Sequence, residues 1–343
     1  MKRWSTLGVV TLGWAVISAP AALHAQTEDE MMDTIRARTD IGRSDQERME
    51  LWIKGEIAGF RSFKAFRQRF QEQFGNARNS QQFRTHFATL TASVAASLFS
   101  AGGLKGDTAH AVAQVLVDLN RVETHAMLIA CLGADDARAR YLCADGLVGL
   151  KRQIVADNAL VPTTVDALRG AGLKETDGVV LGRIYDALAM PEKLGNVFDA
   201  FLALFDKRLE VRRRSGQIHG GPELYAYEFF RAPAVRNALD QTQKTQLVLR
   251  LAVFLRLDAE RYHTVNLGFD EVDRLERMLD AEEDILAGLA GDSGGKIRQV
   301  LSSGGYEARS TIPAEAYRWI GDPTSQTPGP LNQAPWNVPV GAP

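Results

Sequence analysis

An internal repeat of 41 residues is the feature that most constrains how this chain can fold. Residues 122–150, VETHAMLIACLGADDARARYLCADGLVGL, are typical of two antiparallel helices joined by a short acidic turn. A period near forty residues is typical of stacked helical hairpins, because each hairpin buries its apolar face against the next. When residues 122–150 are shifted by 41 positions, the aligned pairs are Ala126 with Ala167, Ala130 with Ala171, Leu132 with Leu173, Asp136 with Asp177, Asp145 with Asp186 and Leu147 with Leu188.

The second helix of this unit resembles a HEAT-type repeat. That pattern has an aspartate at the turn, a small residue and an arginine early in the second helix, and a tail of small residues and leucine. The matching residues are Asp136, Ala139, Arg140 and Leu147. In the second copy Val180 fits the pattern and Leu181 replaces the arginine. The resemblance is best over residues 122–190. It implies an α-solenoid that holds partners along a helical surface, and it brings no catalytic residues.

The rest of the chain has helical periodicity as well. Apolar residues recur three and four apart, which predicts one helix from Ser44 to Phe74 and a second from Ser80 to Leu98. These two helices make an N-terminal hairpin, residues 44–103, and residues 104–320 form a HEAT-like helical-repeat domain. No segment alternates apolar and polar residues convincingly, as a half-buried strand would. The predicted fold is all-α, an irregular α-solenoid of stacked antiparallel helix pairs.

The two ends of the chain differ in composition from the part between them. Residues 1–25 have Lys2 and Arg3, an apolar run and small residues before Ala25, which predicts a secretory signal peptide cleaved after Ala25. The alternative is an uncleaved membrane anchor. Residues 26–43 are predicted to be a flexible lead-in, and the proline-rich residues 321–343 a disordered tail. The expected location is the periplasm or the extracellular space.

Charge argues against a nucleic-acid partner, and hydropathy argues against a transmembrane segment after residue 25. Removal of residues 1–25 leaves 38 basic and 42 acidic side chains, a balance that gives no general attraction to nucleic acid. The most apolar later stretch, Leu247–Leu257, contains Arg250 and Arg256 and is therefore not a membrane span. We expect no nucleic-acid partner and no transmembrane segment after signal cleavage.

Only two cysteines, Cys131 and Cys143, occur in the chain, one on each side of the acidic turn. An exported protein meets an oxidising compartment, and facing helices would bring the two thiols to similar heights. A disulfide is one interpretation, and two buried free thiols that pack as small apolar groups are the other. A metal or redox site is disfavoured, because the spacing is not Cys-x-x-Cys and no histidine accompanies it.

No complete catalytic or metal-binding set is present in the sequence. The stretch Gly291–Gly295 matches the pentapeptide around the serine of trypsin-like proteases, but Ser293 follows a predicted helix and has no recognisable His partner, so we interpret it as a glycine-rich helix end. One Glu-x-x-His pair, Glu260 and His263, lacks the second copy that a di-iron site needs. The acidic run Asp280–Asp284 is interpreted as a solvated helix face. The prediction is no catalytic residue, no cofactor and no metal.

A cluster of basic residues is the candidate binding surface. The cluster lies at the end of a predicted helix and consists of Lys207, Arg208, Arg212, Arg213 and Arg214. A loop with His219 follows, and then Glu223. Such a cluster is suited to an anionic partner. The alternative is that these cations only complement the negative end of the helix dipole.

Together these features predict an exported, non-enzymatic helical-repeat scaffold that binds a protein or cell-envelope partner. The alternative is an exported helical hydrolase acting on envelope material, with His219 or Glu223 near its site.

Overall fold

The computed structural model describes residues 29–215, 221–264, 266–291, 296–303 and 305–342 of the 343-residue chain, with only the backbone described at residues 215 and 305–308. The regular structure in this part of the chain is helical, and it contains no β-strand. Its α-helices are α1 (29–35), α2 (Arg43–Ala58), α3 (Phe63–Phe74), α4 (Gln81–Ser100), α5 (Gly106–Leu119), α6 (His125–Cys131), α7 (Ala137–Gly149), α8 (Lys151–Ala156), α9 (Leu160–Gly172), α10 (Gly178–Leu188), α11 (Leu194–Ser215), α12 (Glu223–Arg231), α13 (Pro233–Ala238), α14 (Gln241–Thr264), α15 (Phe269–Ala290), α16 (Ile297–Ser303) and α17 (Gly305–Ile320). The all-α prediction is confirmed.

The N-terminal helices differ from the prediction at one point. The single helix expected from Ser44 to Phe74 is two helices, because Gly59 ends α2 and Ser62 begins α3. Ser62 Oγ accepts a hydrogen bond from Ala65 N at 3.3 Å, which satisfies a backbone amide that a new helix start exposes. α4 begins next to Ser80, as predicted, and Ser80 caps it in the same way as Ser62 caps α3, with Phe83 N donating to its Oγ at 3.0 Å.

The helices pack in two contact series. In series A each helix packs on the next one in the order α4, α6, α9, α11, α14, α17. In series B the order is α3, α5, α7, α10, α12, α15. Helices also pack between the series, as α6 does on α7 and α14 on α15. The apolar side chains at these contacts form one continuous buried core.

The two copies of the 41-residue repeat begin their second helices in the same way. Asp136 accepts a hydrogen bond from Arg138 N at 2.8 Å, and Asp177 accepts one from Val179 N at 2.8 Å. The backbone angles of the two aspartates are nearly identical, with φ −79° and ψ 119° at Asp136 and φ −79° and ψ 118° at Asp177. The sequence alignment of these positions therefore corresponds to the same local structure.

Ion pairs connect neighbouring helices of series B. Arg67 of α3 binds Asp118 of α5 at 2.6 Å. Arg138 of α7 binds Asp107 of α5 at 2.9 Å. Further pairs between adjacent elements are Asp145 with Arg183 (2.5 Å), Arg140 with Glu175 (2.7 Å) and Lys151 with Asp186 (2.7 Å).

Cys131 and Cys143 form a disulfide that joins α6 to α7. Their Cα atoms are 6.0 Å apart, within the range that a disulfide spans without backbone movement. Both residues are buried. Of the two interpretations that the sequence allowed, the structure has the disulfide.

The predicted flexible lead-in is wrong for residues 29–43. Residues 29–35 are helical, and Met32 and Ile35 are fully buried in the core. The following residue, Arg36, is also buried and donates from Nη2 to Gln73 Oε1 at 3.0 Å. The burial of these two apolar side chains holds the otherwise polar segment against the core.

The predicted disordered tail is wrong for residues 321–342. Leu331, Trp336 and Val338 are buried, and Asn332 holds the segment in place. Its Nδ2 donates to Ile320 O at 3.0 Å and to Val338 O at 2.8 Å. The many prolines and glycines suit the turns of this segment, whose short 3-10 helix, Pro330–Asn332, packs on α17.

The predicted signal peptide, residues 1–25, lies outside the described residues. Within them, no helix combines the length and the apolar character that are needed to cross a lipid bilayer.

Loss of the disulfide should destabilise the protein without changing its fold. The bond closes a loop with a sequence separation of 12 residues. The double variant Cys131→Ala, Cys143→Ala should therefore lose about 2–4 kcal/mol of unfolding free energy in urea titrations. Wild type treated with a reductant should match the variant. Mass spectrometry without reduction counts the free thiols of the wild type, and two free thiols would contradict the disulfide.

Candidate functional site

Four helices, α11, α12, α14 and α15, enclose a group of ionisable side chains. Each side chain belongs to a residue that is at most 6% exposed. We call this group the buried charge cluster; its members are Arg208 and Arg212 of α11, Glu223 of α12, Asp258 of α14 and Glu282 of α15. Transfer of an unpaired ion from water to a protein interior costs several kcal/mol, so such a cluster is stable only if its charges are balanced internally.

Helical spacing places the two arginines together. Arg208 and Arg212 are four residues apart, so their side chains leave α11 on the same face. Leu204 and Phe205, one turn earlier, are buried in the core, so this face of α11 points into the protein.

The carboxylate of Glu223 forms ion pairs with both arginines. It is the first residue of α12, and Arg208 Nε donates to its Oε1 at 2.5 Å. Arg212 Nη2 lies 3.0 Å from its Oε2. Burial alone would raise the pKa of Glu223, but the charges of Arg212 and Arg208 outweigh burial and hold that pKa below its ordinary value. Glu223 is therefore an ionised, enclosed carboxylate.

Arg212 connects three elements. Besides Glu223 it binds Asp258 of α14 through Nη1, which donates to Asp258 Oδ1. Its guanidinium Cζ lies 4.6 Å from the ring centroid of Phe254, also on α14, in a cation–π contact. This contact gives the buried cation an electron-rich surface where it has no anion.

The second half of the cluster contains two neighbouring carboxyl groups, those of Asp258 and Glu282. Tyr227 of α12 donates from its hydroxyl to Glu282 Oε1 at 2.8 Å. Burial raises the pKa of Glu282 well above its ordinary value, and the adjacent Asp258 raises it further. Burial also raises the pKa of Asp258, an effect that Arg212 offsets only in part.

The basic cluster predicted from the sequence is divided by the fold. Arg208, Arg212 and Glu223 belong to the buried charge cluster, so the prediction that they form a binding surface is wrong. Lys207, Arg213 and Arg214 lie on the outer side of α11. His219 lies outside the described residues.

The outer residues form a surface of mixed charge. Glu210 binds Lys207 at 3.1 Å and Arg214 at 2.6 Å. Arg213 and Arg214 line a groove of about 510 Å³ between α11 and α14, beside the ion pair of Asp206 and Arg250. The alternative reading of these cations, that they complement the end of α11, remains compatible with this arrangement.

Two members of the cluster were not identified from the sequence. The acidic run Asp280–Asp284 was expected to be a solvated helix face, and this is wrong for Glu282 and Glu283, which are buried. Glu283 accepts hydrogen bonds from Ile297 N at 2.8 Å and from Trp319 Nε1 at 2.9 Å. Asp258 directly follows the most apolar stretch of the chain, Leu247–Leu257, and an acid at the end of such a stretch was the available signal.

Within the described residues, the other chemical motifs do not assemble into sites. Gly291 ends α15 with φ +71°, in agreement with a glycine helix end, and residues 292–295 are outside the described ranges. Glu260 and His263 have separate partners, Tyr317 Oη at 3.1 Å and Arg309 O at 3.1 Å. In the described part of the chain, no three His, Cys, Asp or Glu side chains are grouped so that they could hold a metal ion.

A second candidate site is an apolar cleft of about 340 Å³ across the N-terminal halves of series B helices α5, α7 and α10. Its walls include Tyr141, Leu142, Val179 and Val180. His110 lies at one end, stacked on Phe63 at a ring-centroid distance of 4.8 Å. Burial lowers the pKa of His110, so the imidazole is neutral near pH 7 and adds little charge to the cleft.

Exposed apolar side chains continue along the same series. Val179, the second residue of α10, is 69% exposed, and Tyr225, the third residue of α12, is 48% exposed. The Tyr225 ring packs on the backbone of Gly182, where a Cβ would lie 2.8 Å from Tyr225 Cε2. Phe269, the first residue of α15, is 88% exposed. We call Tyr141, Val179, Tyr225 and Phe269 the apolar stripe.

Comparisons with known proteins give no family for this chain. No protein-family model matches it, and no significant match is found among curated proteins or among solved structures.

Removal of the central cation should strongly destabilise the protein. Arg212→Met leaves Asp258 and one oxygen of Glu223 without their cation, and breaking a buried pair in this way costs about 3–5 kcal/mol of unfolding free energy. Arg213 is an exposed neighbour on the same helix. The control variant Arg213→Met should change the unfolding free energy by no more than about 1 kcal/mol. Urea titrations near pH 7 measure both. Equal stability of the two variants would show that the cluster is not a structural constraint.

Proposed function

We propose that this chain is an exported, non-enzymatic scaffold of the HEAT-like α-solenoid type, which binds a protein or cell-envelope partner along the apolar stripe. The observation that carries the proposal is the repeated exposure of large apolar side chains on the first turns of consecutive series B helices.

The packing supports the solenoid part of this proposal. In a solenoid, equivalent helices of successive repeats contact each other, which gives two parallel series of contacts. Series A and series B have this pattern. The matching caps at Asp136 and Asp177 support equivalence of the two repeats. A HEAT-type arrangement is the interpretation that also accounts for Arg140, which binds Glu175 in the turn of the next repeat.

The surface chemistry supports the binding part. Single exposed apolar residues are common on proteins and need no explanation. Of the five large apolar side chains that are exposed among the described residues, three, those of Val179, Tyr225 and Phe269, occupy first turns of successive series B helices, and Val179 lines the apolar cleft. Contiguous apolar surface with polar residues around it is typical of a protein-interaction site. A partner with an apolar, largely uncharged contact segment fits this surface best.

The buried charge cluster favours the scaffold over the hydrolase. A general acid or base must come within about 3 Å of the substrate proton that it transfers. Glu223, the carboxylate that the hydrolase alternative uses, is fully buried, and both of its oxygens face arginines. The carboxyl groups of the buried charge cluster therefore interact with one another and with the enclosed arginine and tyrosine side chains.

The disulfide supports export. Disulfides persist in oxidising compartments and are rare in the bacterial or eukaryotic cytosol. The two cysteines of the chain are bonded to each other, as expected for a protein of the periplasm or the extracellular space.

The stripe can be tested with substitutions that leave the core intact. Val179→Ser and Phe269→Ser, combined, should reduce partner capture at least tenfold, because apolar contact area that leaves water on binding is lost. Capture is measured by photo-cross-linking from residue 225, which carries the cross-linking group in wild type, variant and control alike, with the tagged mature protein in its own cell envelope. The cross-linked partner is then quantified in the variant relative to wild type.

Leu51→Ser is the matched control, because Leu51 is 66% exposed on α2 and is not part of the stripe. It should leave capture unchanged. Equal capture by the stripe variant and the control would contradict the proposed surface, provided that both have wild-type unfolding midpoints.

A further inference from the structure

The carboxyl groups of Asp258 and Glu282 each have one oxygen without a donor. Asp258 Oδ1 accepts from Arg212 and Glu282 Oε1 accepts from Tyr227. The remaining oxygens, Asp258 Oδ2 and Glu282 Oε2, are buried and have no N–H or O–H partner among the described residues. The two carboxyl groups are nevertheless within hydrogen-bonding reach of each other. Two ionised carboxylates cannot bond in this way, whereas a carboxylic acid and a carboxylate can.

Counting charges indicates the same arrangement. The described members of the buried charge cluster are two arginines and three acids. With all three acids ionised the cluster has one uncompensated negative charge, which the interior disfavours strongly. With one proton on the carboxyl pair the cluster is neutral. That proton also supplies the only donor that the two unpaired oxygens need.

We propose that Asp258 and Glu282 hold one proton between them, and that this proton makes the junction of α11, α12, α14 and α15 a pH-sensitive lock. While the pair keeps the proton, the Asp258–Glu282 hydrogen bond closes the junction between α14 and α15. When hydroxide removes it, two adjacent carboxylates repel each other and the junction loosens. The proton passes to solvent, and no other group of the cluster has to change its charge.

Among the described residues around the pair, no second group would replace this proton. From α11 and α12 it faces Arg212, Tyr227 and Glu223, as described above. Tyr227 is fully buried, and burial raises the pKa of its hydroxyl well above the ordinary value, so it stays neutral. Arg208 is occupied by Glu223.

The other helices that pack on α14 and α15 bring their charges to different partners. Arg236 of α13 donates to the backbone Asp284 O at 3.1 Å, and Arg298 of α16 binds Asp280 at 2.5 Å. On the side of α17, Tyr317 donates to Glu260 at 3.1 Å, and Trp319 donates to Glu283.

The direction of the pH effect follows from proton counting. Above about pH 4.3 an unfolded glutamate is ionised, whereas the folded pair still holds its proton. The native state then binds one proton more than the unfolded state, so a rise in pH favours unfolding. The proton's contribution to stability is therefore greatest below about pH 4.3, and it falls steadily as the pH rises, up to the pH at which the folded pair loses its proton.

The lock also has a consequence for the surface. α12 carries Tyr225 and α15 carries Phe269, so a loosened junction would disturb half of the apolar stripe. Only this consequence rests on the proposed scaffold function; the proton itself is tested without any partner.

Infrared spectroscopy can detect the proton directly. The wild-type protein at pH 7 should show the C=O stretch of a protonated carboxylic acid, shifted in D₂O. Glu282→Gln and Asp258→Asn should each abolish it, because either amide makes the cluster neutral without a proton and can donate to the remaining carboxylate. Glu228→Gln, a similar change at an exposed position of α12, should keep the band. Absence of the band in wild type at pH 7 would overturn the proposal.

Stability measurements test the lock. Between about pH 5.5 and 7.5, the unfolding equilibrium constant of wild type relative to Glu282→Gln should rise about tenfold per pH unit, the value for one proton. Asp258→Asn should give the same slope as Glu282→Gln, and Glu228→Gln the slope of wild type. If one buried variant does not fold, the other and the wild-type infrared titration still decide. Parallel slopes for wild type and both buried variants would overturn the lock.

Discussion

The arrangement of the C-terminal helices depends on the guanidinium group of Arg212. It lies in the interior, where an unpaired charge costs several kcal/mol, and it is held by Glu223 of α12, by Asp258 of α14 and by the ring of Phe254. Apolar packing alone tolerates small slides of one helix along another, but a displaced guanidinium would lose an anion. The cluster therefore fixes the register of α11, α12 and α14, and Glu282 extends this constraint to α15 through Tyr227.

The N-terminal half of the chain is held by different forces. Some of its ion pairs, such as Arg138 with Asp107, are exposed, and exposed pairs contribute at most about 1 kcal/mol each. The main contributions there are aromatic packing, in which Trp52 and Phe70 have ring centroids 5.1 Å apart, and the disulfide between α6 and α7.

Most of the helices could be predicted from the sequence because their signals are local. Apolar spacing placed the helix predicted from Ser80 to Leu98 within a few residues of its observed ends, Gln81 and Ser100. The break between α2 and α3 was missed, since the aromatic periodicity continues across Gly59 and only Ser62 indicates a new start. Residues 321–342 were misjudged because composition does not show that Leu331 and Trp336 find an apolar surface on the preceding helices.

The sequence by itself determined the helical class, the repeated caps at Asp136 and Asp177, and the set of arginines on α11, because these depend on residues a few positions apart. Only the tertiary structure decided which charges are enclosed. Arg208 and Arg212 share one face of α11, but that face becomes interior only when α12, α14 and α15 cover it and bring Glu223, Asp258 and Glu282 to it. The physical reason is that burial and charge pairing are properties of residues up to 74 positions apart in the chain, as for Arg208 and Glu282, which no local pattern specifies.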